Sequence, residues 1–543
     1  MLNLWYKNAV IYCLDVDSFR DSDGDGVGDF RGLTDSLDHI EALGATCIWL
    51  LPFYPSPDRD NGYDIADYYN VDPRHGSLGD FVEFMRAAKD RGLRVIVDLV
   101  VNHTSIDHPW FQASRSDPKS KYRDWYVWNK EKPADAEKGV IFPGVQESTW
   151  TWDAKRREYY FHRFYKHQAD LNIANPEVRE EIQKIMGFWL ELGVSGFRID
   201  AAPFILEDLE GLKGGGDPHA YLAELQAFLS WREAEAMLLA EANIPMEEAD
   251  EYFGTGDRLH VIFNFPLNQK LFLALARGEG APVNEMLKSL PTIDPIGQWA
   301  TFLRNHDEID LGRLADDERA EVFAAFGPEK SMQLYDRGIR RRLAAMLGGD
   351  GRRIAMAFSL MLALPGTPVI WYGDEIGMGD NMDLKERNPV RTPMQWSASG
   401  NGGFSSAEPK DWVRFPNLDG PFSHPYVNAE TQQNVETSLL ATVQRLVRVR
   451  RACREIGWGT FDVLDLEADS VVGLKSSWRG GDVLTLHNLA DRPVTVDLTK
   501  IVGDGRARNL LRQDAEHSAR DGDCILRLAA FGFEWLRLEA KQA

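Results

Sequence analysis

Short apolar runs typical of buried strands alternate with segments of helical periodicity along the first two thirds of the chain. The strand-like runs end near Leu14, Leu50, Leu99, Asp200, Glu241, Asn264, Leu303 and Tyr372. Between them, segments such as Phe81 to Arg91 and Tyr221 to Ala234 carry apolar residues three and four positions apart. Strands that alternate with helices are typical of α/β folds with a parallel sheet. Eight of them predict a (β/α)8 TIM barrel, whose chemistry takes place at the carboxyl ends of the strands.

Two stretches interrupt this alternation and predict additional domains. The polar, aromatic stretch after the third strand is too long for a loop and predicts an inserted subdomain. Near the C-terminus, short alternating runs replace the helices and predict an all-β sandwich. The predicted order is a first barrel part over 1–103, the inserted domain B over 104–172, a second barrel part with lid segments over 173–456, and the C-terminal β-sandwich domain over 457–543.

Composition narrows the class of partner. The chain has 543 residues and a formal net charge of −23, which argues against nucleic acid or an anionic membrane surface as a partner. The 16 Trp residues suit a neutral ligand such as a sugar. The longest apolar run, Ile354 to Trp371, is broken by Pro365 and Pro368, so no membrane span is predicted. The cysteines lack metal or redox spacing and no signal-peptide pattern is visible, so we expect a cytoplasmic protein.

An acidic, glycine-containing loop follows the first predicted strand. Its candidate ligands are Asp21, Asp23, Asp25, the Val27 carbonyl and Asp29. Alternating oxygen donors around glycine turns are how a loop wraps a hard cation. Gly32 stands where the helix–loop–helix calcium motif has a glutamate, and no helix precedes the loop, so the predicted site is a strand–loop site. We predict a structural Ca²⁺ or Mg²⁺ here, and the alternative is a solvated turn.

Carboxylates mark the ends of four predicted strands. They are Asp98, Asp200, Glu241 and Asp307, and they are accompanied by His103 and His306. Because parallel strand ends converge on one rim of a barrel, we expect these side chains to share one mouth. Arg198 lies on the same strand face as Asp200, so the two can form an ion pair. An isolated Arg–Asp pair would have a structural explanation, but a pair of carboxylates flanking a bond is what glycoside cleavage requires.

Four of these segments resemble the signature regions of the α-amylase superfamily, glycoside hydrolase family 13. They are Asp98 to His103, Gly196 to Asp200, Ala240 to Asn243 and Arg304 to Asp307. The resemblance implies that Asp200 is the nucleophile, Glu241 the general acid/base and Asp307 the transition-state stabiliser.

The same resemblance implies further site residues. The implied substrate-binding residues are Tyr63, Asp64, His103, Arg198, His306 and Arg391. Among them, Tyr63 would be a stacking platform and Asp64 the partner of Arg391. Asn102 and Asp170 would be ligands of a second calcium site between the barrel and the inserted domain.

Within the superfamily, Gln168 to Asn172 resembles the oligo-1,6-glucosidase group, whereas Trp5 to Tyr12 and Arg337 to Arg341 resemble the trehalose synthases. This implies a retaining enzyme that acts on small α-glucosides such as maltose through a covalent glucosyl-Asp intermediate. Isomerisation to trehalose or glucosyl transfer, with side hydrolysis, is the expected activity. The alternatives are an α-1,4-glucosidase or α-amylase and, in another class, a catalytically inactive binding subunit. A homo-oligomer is left open.

Two connections after the seventh and eighth strands are longer than ordinary barrel loops: Glu308 to Arg353 and Gly373 to Val435. Both leave the rim that carries the carboxylates. We expect them to fold over the mouth as a lid that retains released glucose and slows the entry of water. The alternative is that they decorate the barrel without closing it.

Overall fold

A computed structural model describes residues 3–210, 217–414, 416–417, 419–503, 505–512, 516–518 and 524–539 of the chain. Eight parallel strands close into a barrel, which confirms the predicted fold. The strands are Ile11–Leu14, Cys47–Leu50, Arg94–Leu99, Gly196–Ile199, Met237–Ala240, Val261–Phe263, Gln298–Phe302 and Thr367–Trp371. They follow one another around the ring in chain order, and the eighth pairs with the first.

The register between the third and fourth strands sets up the site. Asp98 lies directly opposite Arg198 in this parallel pair. Paired residues of neighbouring strands point to the same face, so both side chains face the barrel interior. Ile199 points the other way and is fully buried. Side-chain alternation within this four-residue strand therefore places the charged Arg198 in the barrel interior and the apolar Ile199 on the opposite face.

Helices surround the barrel strands. The longer ones are Phe30–Asp35, Leu37–Leu43, Leu78–Asp90, Pro176–Glu191, Ala202–Glu210, Ala220–Arg232, Phe265–Arg277, Ala281–Lys288, Asp316–Phe326, Gly351–Ala363 and Leu439–Ala452. Sequence periodicity predicts one helix from Leu33 to Leu43, but two helices meet at Ser36, whose hydroxyl donates to the Gly32 carbonyl. Such local side-chain bonding competes with the helix ladder. No helix within the described ranges is long and apolar enough to cross a membrane.

The stretch after the third strand leaves the barrel and returns to it through one antiparallel pair, His103–Ser105 with Gln168–Asp170. Between these strands lie the helix Pro109–Ser116 and a three-stranded sheet. That sheet consists of Trp128–Asn129, Glu158–Phe161 and Trp150–Asp153, in this spatial order. The insert is therefore fastened to the barrel rim at both of its ends.

The C-terminal part is all β, as predicted. A six-stranded and a two-stranded sheet contain Thr460–Val463, Val471–Trp478, Gly481–Asn488, Val494–Asp497, Arg506–Asn509, Glu516–Ser518, Ile525–Leu528 and Phe533–Glu539. Leu484 and Leu536 of the larger sheet share a small core with Val496 and Leu526 of the smaller one. The other face of the larger sheet meets the barrel helix Gly351–Ala363, where the Trp535 indole donates to the Ser359 hydroxyl.

The first long connection contains a small sheet that the sequence does not predict. After the seventh barrel strand, Ile309–Asp310, Gly338–Ile339 and Gln333–Leu334 form three antiparallel strands, and the helix Asp316–Phe326 lies between the first of them and the other two. The sequence predicts a helix-rich stretch instead. Strands of two residues are too short to show alternation, so periodicity has no signal there.

Candidate active site

A cavity of about 1050 Å³ opens at the carboxyl ends of the barrel strands and contains Asp200, Glu241 and Asp307. Asp200 and Glu241 each directly follow a barrel strand, and Asp307 belongs to the loop after the seventh strand. Tyr63 and His306 line the same cavity. The barrel topology thus brings together carboxylates that are far apart in sequence, as the strand-end pattern predicts.

One buried guanidinium joins three of the four rim carboxylates. Arg198 Nη1 lies 2.5 Å from Asp98 Oδ1 and 2.6 Å from Asp200 Oδ1. Arg198 Nη2 is bonded to Glu241 Oε2. Asp200 and Glu241 therefore bind adjacent nitrogens of one planar group, which is compatible with the spacing of about 5–5.5 Å that a retaining glycosidase needs.

The environments of these carboxyl groups differ in their effect on protonation. Burial, assisted by repulsion from Asp200 and Asp307, raises the pKa of Glu241 to about 8, although Arg198 opposes the rise. Burial likewise raises the pKa of Asp98 to about 7, against the attraction of Arg198. Glu241 is therefore protonated at neutral pH, as a general acid must be.

Because the pKa of Glu241 is raised, we predict that the activity falls at basic pH. Turnover requires the protonated form, so kcat/KM for an α-glucoside, the substrate class that the sequence resemblance implies, should fall above about pH 8, by about tenfold per pH unit. A pH–rate profile between pH 5 and 10 measures this limb. Activity that already declines above pH 5, near the ordinary glutamate value, would contradict the assignment of Glu241 as the acid.

Asp307 lies in the opposite environment. Its Oδ1 is 3.1 Å from Arg387 Nη1 and 2.9 Å from Arg391 Nη2. Burial alone would raise the pKa of Asp307, but the charges of these two arginines outweigh it and hold the pKa well below the ordinary value. Asp307 is therefore an ionised acceptor that can bind sugar hydroxyls.

Arg391 does not pair with Asp64, contrary to the sequence prediction. Its Nη2 binds Asp307, and its Nε donates to the His306 carbonyl at 2.8 Å. Asp64 Oδ1 accepts hydrogen bonds from the Ser56 hydroxyl and the backbone N–H groups of residues 59 and 60. The carboxylate of Asp64 thus stabilises its own turn and does not line the cavity.

Asp60 is a site residue that sequence reasoning missed. It lines the cavity, and its Oδ2 accepts a hydrogen bond of 2.8 Å from Gln168 Nε2. Burial raises the pKa of Asp60 to about 7, with Arg387 and Arg391 opposing the rise. The sequence did contain a signal, because Asp60 begins the turn Asp60-Asn-Gly-Tyr63, which leads to the predicted site residue Tyr63. The turn is closed by a hydrogen bond from the Tyr63 N–H to the Asp60 carbonyl, so the two residues lie close together.

Two neutral histidines and one tyrosine form a wall beside the carboxylates. His103 Nε2 donates to the Tyr63 carbonyl at 3.1 Å. The Tyr63 and His306 rings are stacked with centroids 5.6 Å apart, and the Tyr63 hydroxyl is 2.8 Å from His306 Nε2. Burial lowers the pKa of both histidines. The wall is thus an uncharged surface suited to a sugar ring.

Aromatic side chains of the insert meet the two long connections over the mouth. The Phe142 ring lies 4.7 Å from that of Tyr335, and the hydroxyls of Tyr165 and Tyr335 are 3.1 Å apart. The Arg387 guanidinium covers Phe142 at 5.3 Å and pairs with Glu308 at 2.7 Å. Residues of the insert and of both connections therefore form a continuous roof on one side of the cavity.

The acidic loop after the first strand brings three of its predicted ligands together. Oxygen atoms of Asp21, Asp23 and Asp29 all lie within 4.8 Å of one another. The carboxylate of Asp25 is not among these three, and its Oδ1 accepts the Val27 N–H at 2.8 Å. Oxygen donors at this separation fit a hard cation, whose ligands lie about 2.3–2.6 Å from the metal when it is calcium.

Asn102 and Asp170 are also neighbours, at the junction of barrel and insert. Asn102 Nδ2 donates to Asp170 Oδ2 at 3.2 Å, and Asp170 Oδ1 accepts the Arg163 N–H at 2.9 Å. Asn102 Oδ1 is buried and has no hydrogen-bond partner among the described residues. An unpartnered buried oxygen next to a carboxylate fits the donor set of the second predicted metal site.

Comparison with known proteins places this geometry in context. The family profile "Alpha amylase, catalytic domain" matches residues 12–326 and 332–459, and "Sucrose hydrolase-like, C-terminal domain" matches residues 480–537. Among solved structures, an alpha-amylase from H. orenii superposes with a TM-score of 0.80 at 26% identity, covering 98% of this chain and 100% of that one. The trehalulose synthase MutB from Pseudomonas mesoacidophila MX-45 gives 0.77 at 26% identity, covering 98% and 99%.

Curated relatives are more similar in sequence. The trehalose synthase of Thermus thermophilus is 43% identical over 99% of this chain, which spans 56% of that protein's length. The trehalose synthase/amylase TreS of Mycobacterium tuberculosis is 42% identical, covering 91% of this chain and 83% of the relative. The trehalose synthase of Pimelobacter sp. is 40% identical, with coverages of 98% and 96%.

Proposed function

This chain belongs to the alpha-amylase family of glycoside hydrolases, and we propose that it isomerises maltose to trehalose through a covalent glucosyl ester on Asp200. The observation that carries the proposal is the roof of insert and connection residues over a mouth that contains the three carboxylates. The similarity to relatives named trehalose synthases supports the same activity.

The first half of the reaction cleaves maltose. Glu241 gives its proton to the glycosidic oxygen while Asp200 attacks the anomeric carbon, so the bond to the departing glucose breaks as the ester bond forms. Asp307 binds hydroxyls of the reacting sugar and opposes the positive charge that develops on it. After this step Asp200 is an uncharged ester and Glu241 carries the negative charge that Asp200 carried before, so the net charge of the site is unchanged.

The second half depends on what attacks the ester. Glu241 accepts a proton from the attacking hydroxyl as the new bond to the anomeric carbon forms and Asp200 leaves as a carboxylate. If the released glucose turns over and attacks through its anomeric hydroxyl, the product is trehalose. If water attacks, the product is glucose. The roof of Phe142, Tyr335 and Arg387 favours the first route because it encloses the glucose and restricts water.

Incubation of maltose with labelled free glucose tests this proposal. The expected product is trehalose without label, because the glucose that attacks never leaves the cavity. A parallel reaction with Asp200→Asn controls for background conversion. Labelled disaccharide would indicate an open transferase, and glucose as the sole product would indicate an α-glucosidase or amylase; either outcome contradicts intramolecular isomerisation.

We also propose that the loop of Asp21, Asp23 and Asp29 holds a structural Ca²⁺ or Mg²⁺, with Asp25 and the Val27 carbonyl as further candidate ligands. A second cation would be held by Asn102 and Asp170. Such ions neutralise clustered carboxylates and fasten loops; we assign them no step in the reaction. The proximity of three carboxylate oxygens in the first loop supports its assignment.

Metal removal is expected to lower the thermal stability of the protein. A cation that binds only the folded state at 100 times its Kd adds about 2.7 kcal/mol to the free energy of unfolding. Chelation should therefore lower Tm, and added calcium or magnesium should restore it. Asp23→Asn should lose much of this response, whereas the matched variant Asp35→Asn, at an exposed carboxylate that ends the following helix, should keep it. A melting curve indifferent to chelator would leave the loop as a polar turn.

The setting in the cell is part of the same proposal. We propose small α-glucosides as partners and a cytoplasmic location. The four cysteines are buried and unpaired in the structure, which suits a reducing compartment. Activity of the enzyme in a fractionated cell extract would test the location directly.

A further inference from the structure

A second cavity, of about 560 Å³, lies at the end of the barrel opposite the catalytic carboxylates. Its walls include Asn8, which precedes the first barrel strand, and Gly44, which precedes the second. The facing wall is the end of the helix Leu439–Ala452 together with Arg454 beyond it. Barrel strands begin at this end and catalysis takes place at the other. The cavity accordingly shares no lining residue with the active site.

Three arginines line this cavity: Arg448, Arg451 and Arg454. We call it the arginine cavity. The side chains of Arg448 and Arg454 have no ion-pair or hydrogen-bond partner among the described residues, and Arg451 Nη1 donates to the Gly44 carbonyl at 3.3 Å. Glu41 is the only carboxylate that lines the cavity, and it already pairs with Arg91 at 3.5 Å. The cavity therefore carries positive charge that the described side chains do not neutralise.

A fourth arginine lies behind the wall of the arginine cavity. Arg450 is fully buried; its Nη1 donates to Asn8 Oδ1 at 3.0 Å and its Nη2 to the Gly366 carbonyl at 2.7 Å. Its Nε has no hydrogen-bond partner among the described residues. Burial lowers the pKa of Arg450 to about 10. A buried guanidinium that is held by neutral acceptors is costly, and an anion bound beside Asn8 would offset part of that cost.

The stability of the helix does not explain this cluster. Residues 437–454 include five arginines and no acidic residue, although the whole chain has 84 Asp and Glu against 61 Lys and Arg. Arg445, Arg448 and Arg451 follow one another at intervals of three, and like charges at this spacing repel on a helix. Cations are favourable near the C-terminus of a helix, but Arg454 begins the next helix. The cluster therefore lowers the stability of the free protein, and a bound anion would relieve the repulsion.

We propose that the arginine cavity binds a phosphate group, as free phosphate or as the phosphate ester of a small molecule. The planar guanidinium fork matches two phosphate oxygens, and several such groups can share one doubly charged anion. A volume of about 560 Å³ is within the range of about 300–1,000 Å³ that is typical of small-molecule sites, so it has room for the organic part of an ester. The proposal uses none of the residues of the proposed isomerisation.

Calorimetric titration with glycerol 3-phosphate tests the binding. At neutral pH this probe carries a phosphate group with nearly two negative charges, and it has no sugar ring that could enter the active site. We expect one site per chain and no corresponding heat from glycerol or from sodium chloride at the same ionic strength. Inorganic phosphate is titrated in parallel: weaker binding than that of the ester supports an ester as the ligand, and equal binding supports free phosphate. Absence of binding by both probes would overturn the proposal.

Two charge-matched variants test whether the binding takes place in this cavity. Arg448→Gln with Arg454→Gln should weaken the binding of glycerol 3-phosphate by about tenfold or more, because charged hydrogen bonds to the phosphate are lost. Arg445→Gln with Arg352→Gln removes the same charge from exposed arginines outside the cavity and should leave the affinity unchanged. Both variants should retain full activity on maltose, which shows that they are folded. An equal loss of affinity in the two variants, or no loss in the first, would overturn the assignment to the arginine cavity.

Discussion

Asp200→Asn is expected to abolish turnover of maltose, with kcat lower by about four orders of magnitude or more. The amide has the shape of the carboxylate but cannot attack the anomeric carbon, so the glucosyl ester does not form. Arg198 keeps its bonds to Asp98 and Glu241 in this variant, so the cavity keeps its shape. Sugar binding should therefore persist while chemistry stops.

Two measurements establish the result. Steady-state kinetics on maltose give the loss in kcat, and calorimetric titration with maltose gives the affinity of the inactive protein. Asp107→Asn is the matched control because Asp107 is half-exposed in a surface pair with Arg59, and it should retain full activity. Turnover of Asp200→Asn within tenfold of the unaltered enzyme would remove Asp200 from the mechanism.

Much of the fold could be predicted because each barrel strand carries its own local signal. The run Gly196 to Asp200 is apolar except for Arg198 and the terminal carboxylate. It begins at a glycine whose φ of 144° and close approach to the Met237 carbonyl disfavour any larger residue. All eight predicted strands are present, within two residues at their ends. The strand-end carboxylates then follow from topology alone, since parallel strands of a barrel share one catalytic rim.

The part of the site that lies in loops could not be predicted in the same way. Asp60 and Asp64 stand four positions apart in one polar segment, and only the turn decides that the first faces the cavity. The bond between Tyr165 and Tyr335 joins residues 170 positions apart. Contacts of this kind depend on how three irregular segments meet, and no periodic pattern records them.

Arg198→Leu is expected to lower the free energy of unfolding far more than the loss of an exposed ion pair does. The guanidinium is buried, and in its absence three carboxyl groups would face one another without a cation. Removing one partner of a buried ionic network costs about 3–5 kcal/mol. Arg277→Leu is the control: it breaks a solvent-exposed pair with Glu321 and should change the free energy of unfolding little.

The loss in Arg198→Leu should also depend on pH in a defined direction. Arg198 opposes the rise that burial causes in the pKa of Asp98, about 7, and of Glu241, about 8. Without Arg198 both pKa values rise further. A carboxyl group whose pKa is higher in the folded than in the unfolded protein lowers the free energy of unfolding as the pH increases from the unfolded-state pKa to the folded-state pKa. Urea unfolding should therefore show a larger difference from the unaltered protein at pH 8 than at pH 5. Adding Asp98→Asn should recover part of the loss, because one uncompensated carboxylate is gone. A difference that shrinks as pH rises would mean that Arg198 does not lower the pKa of these carboxyl groups.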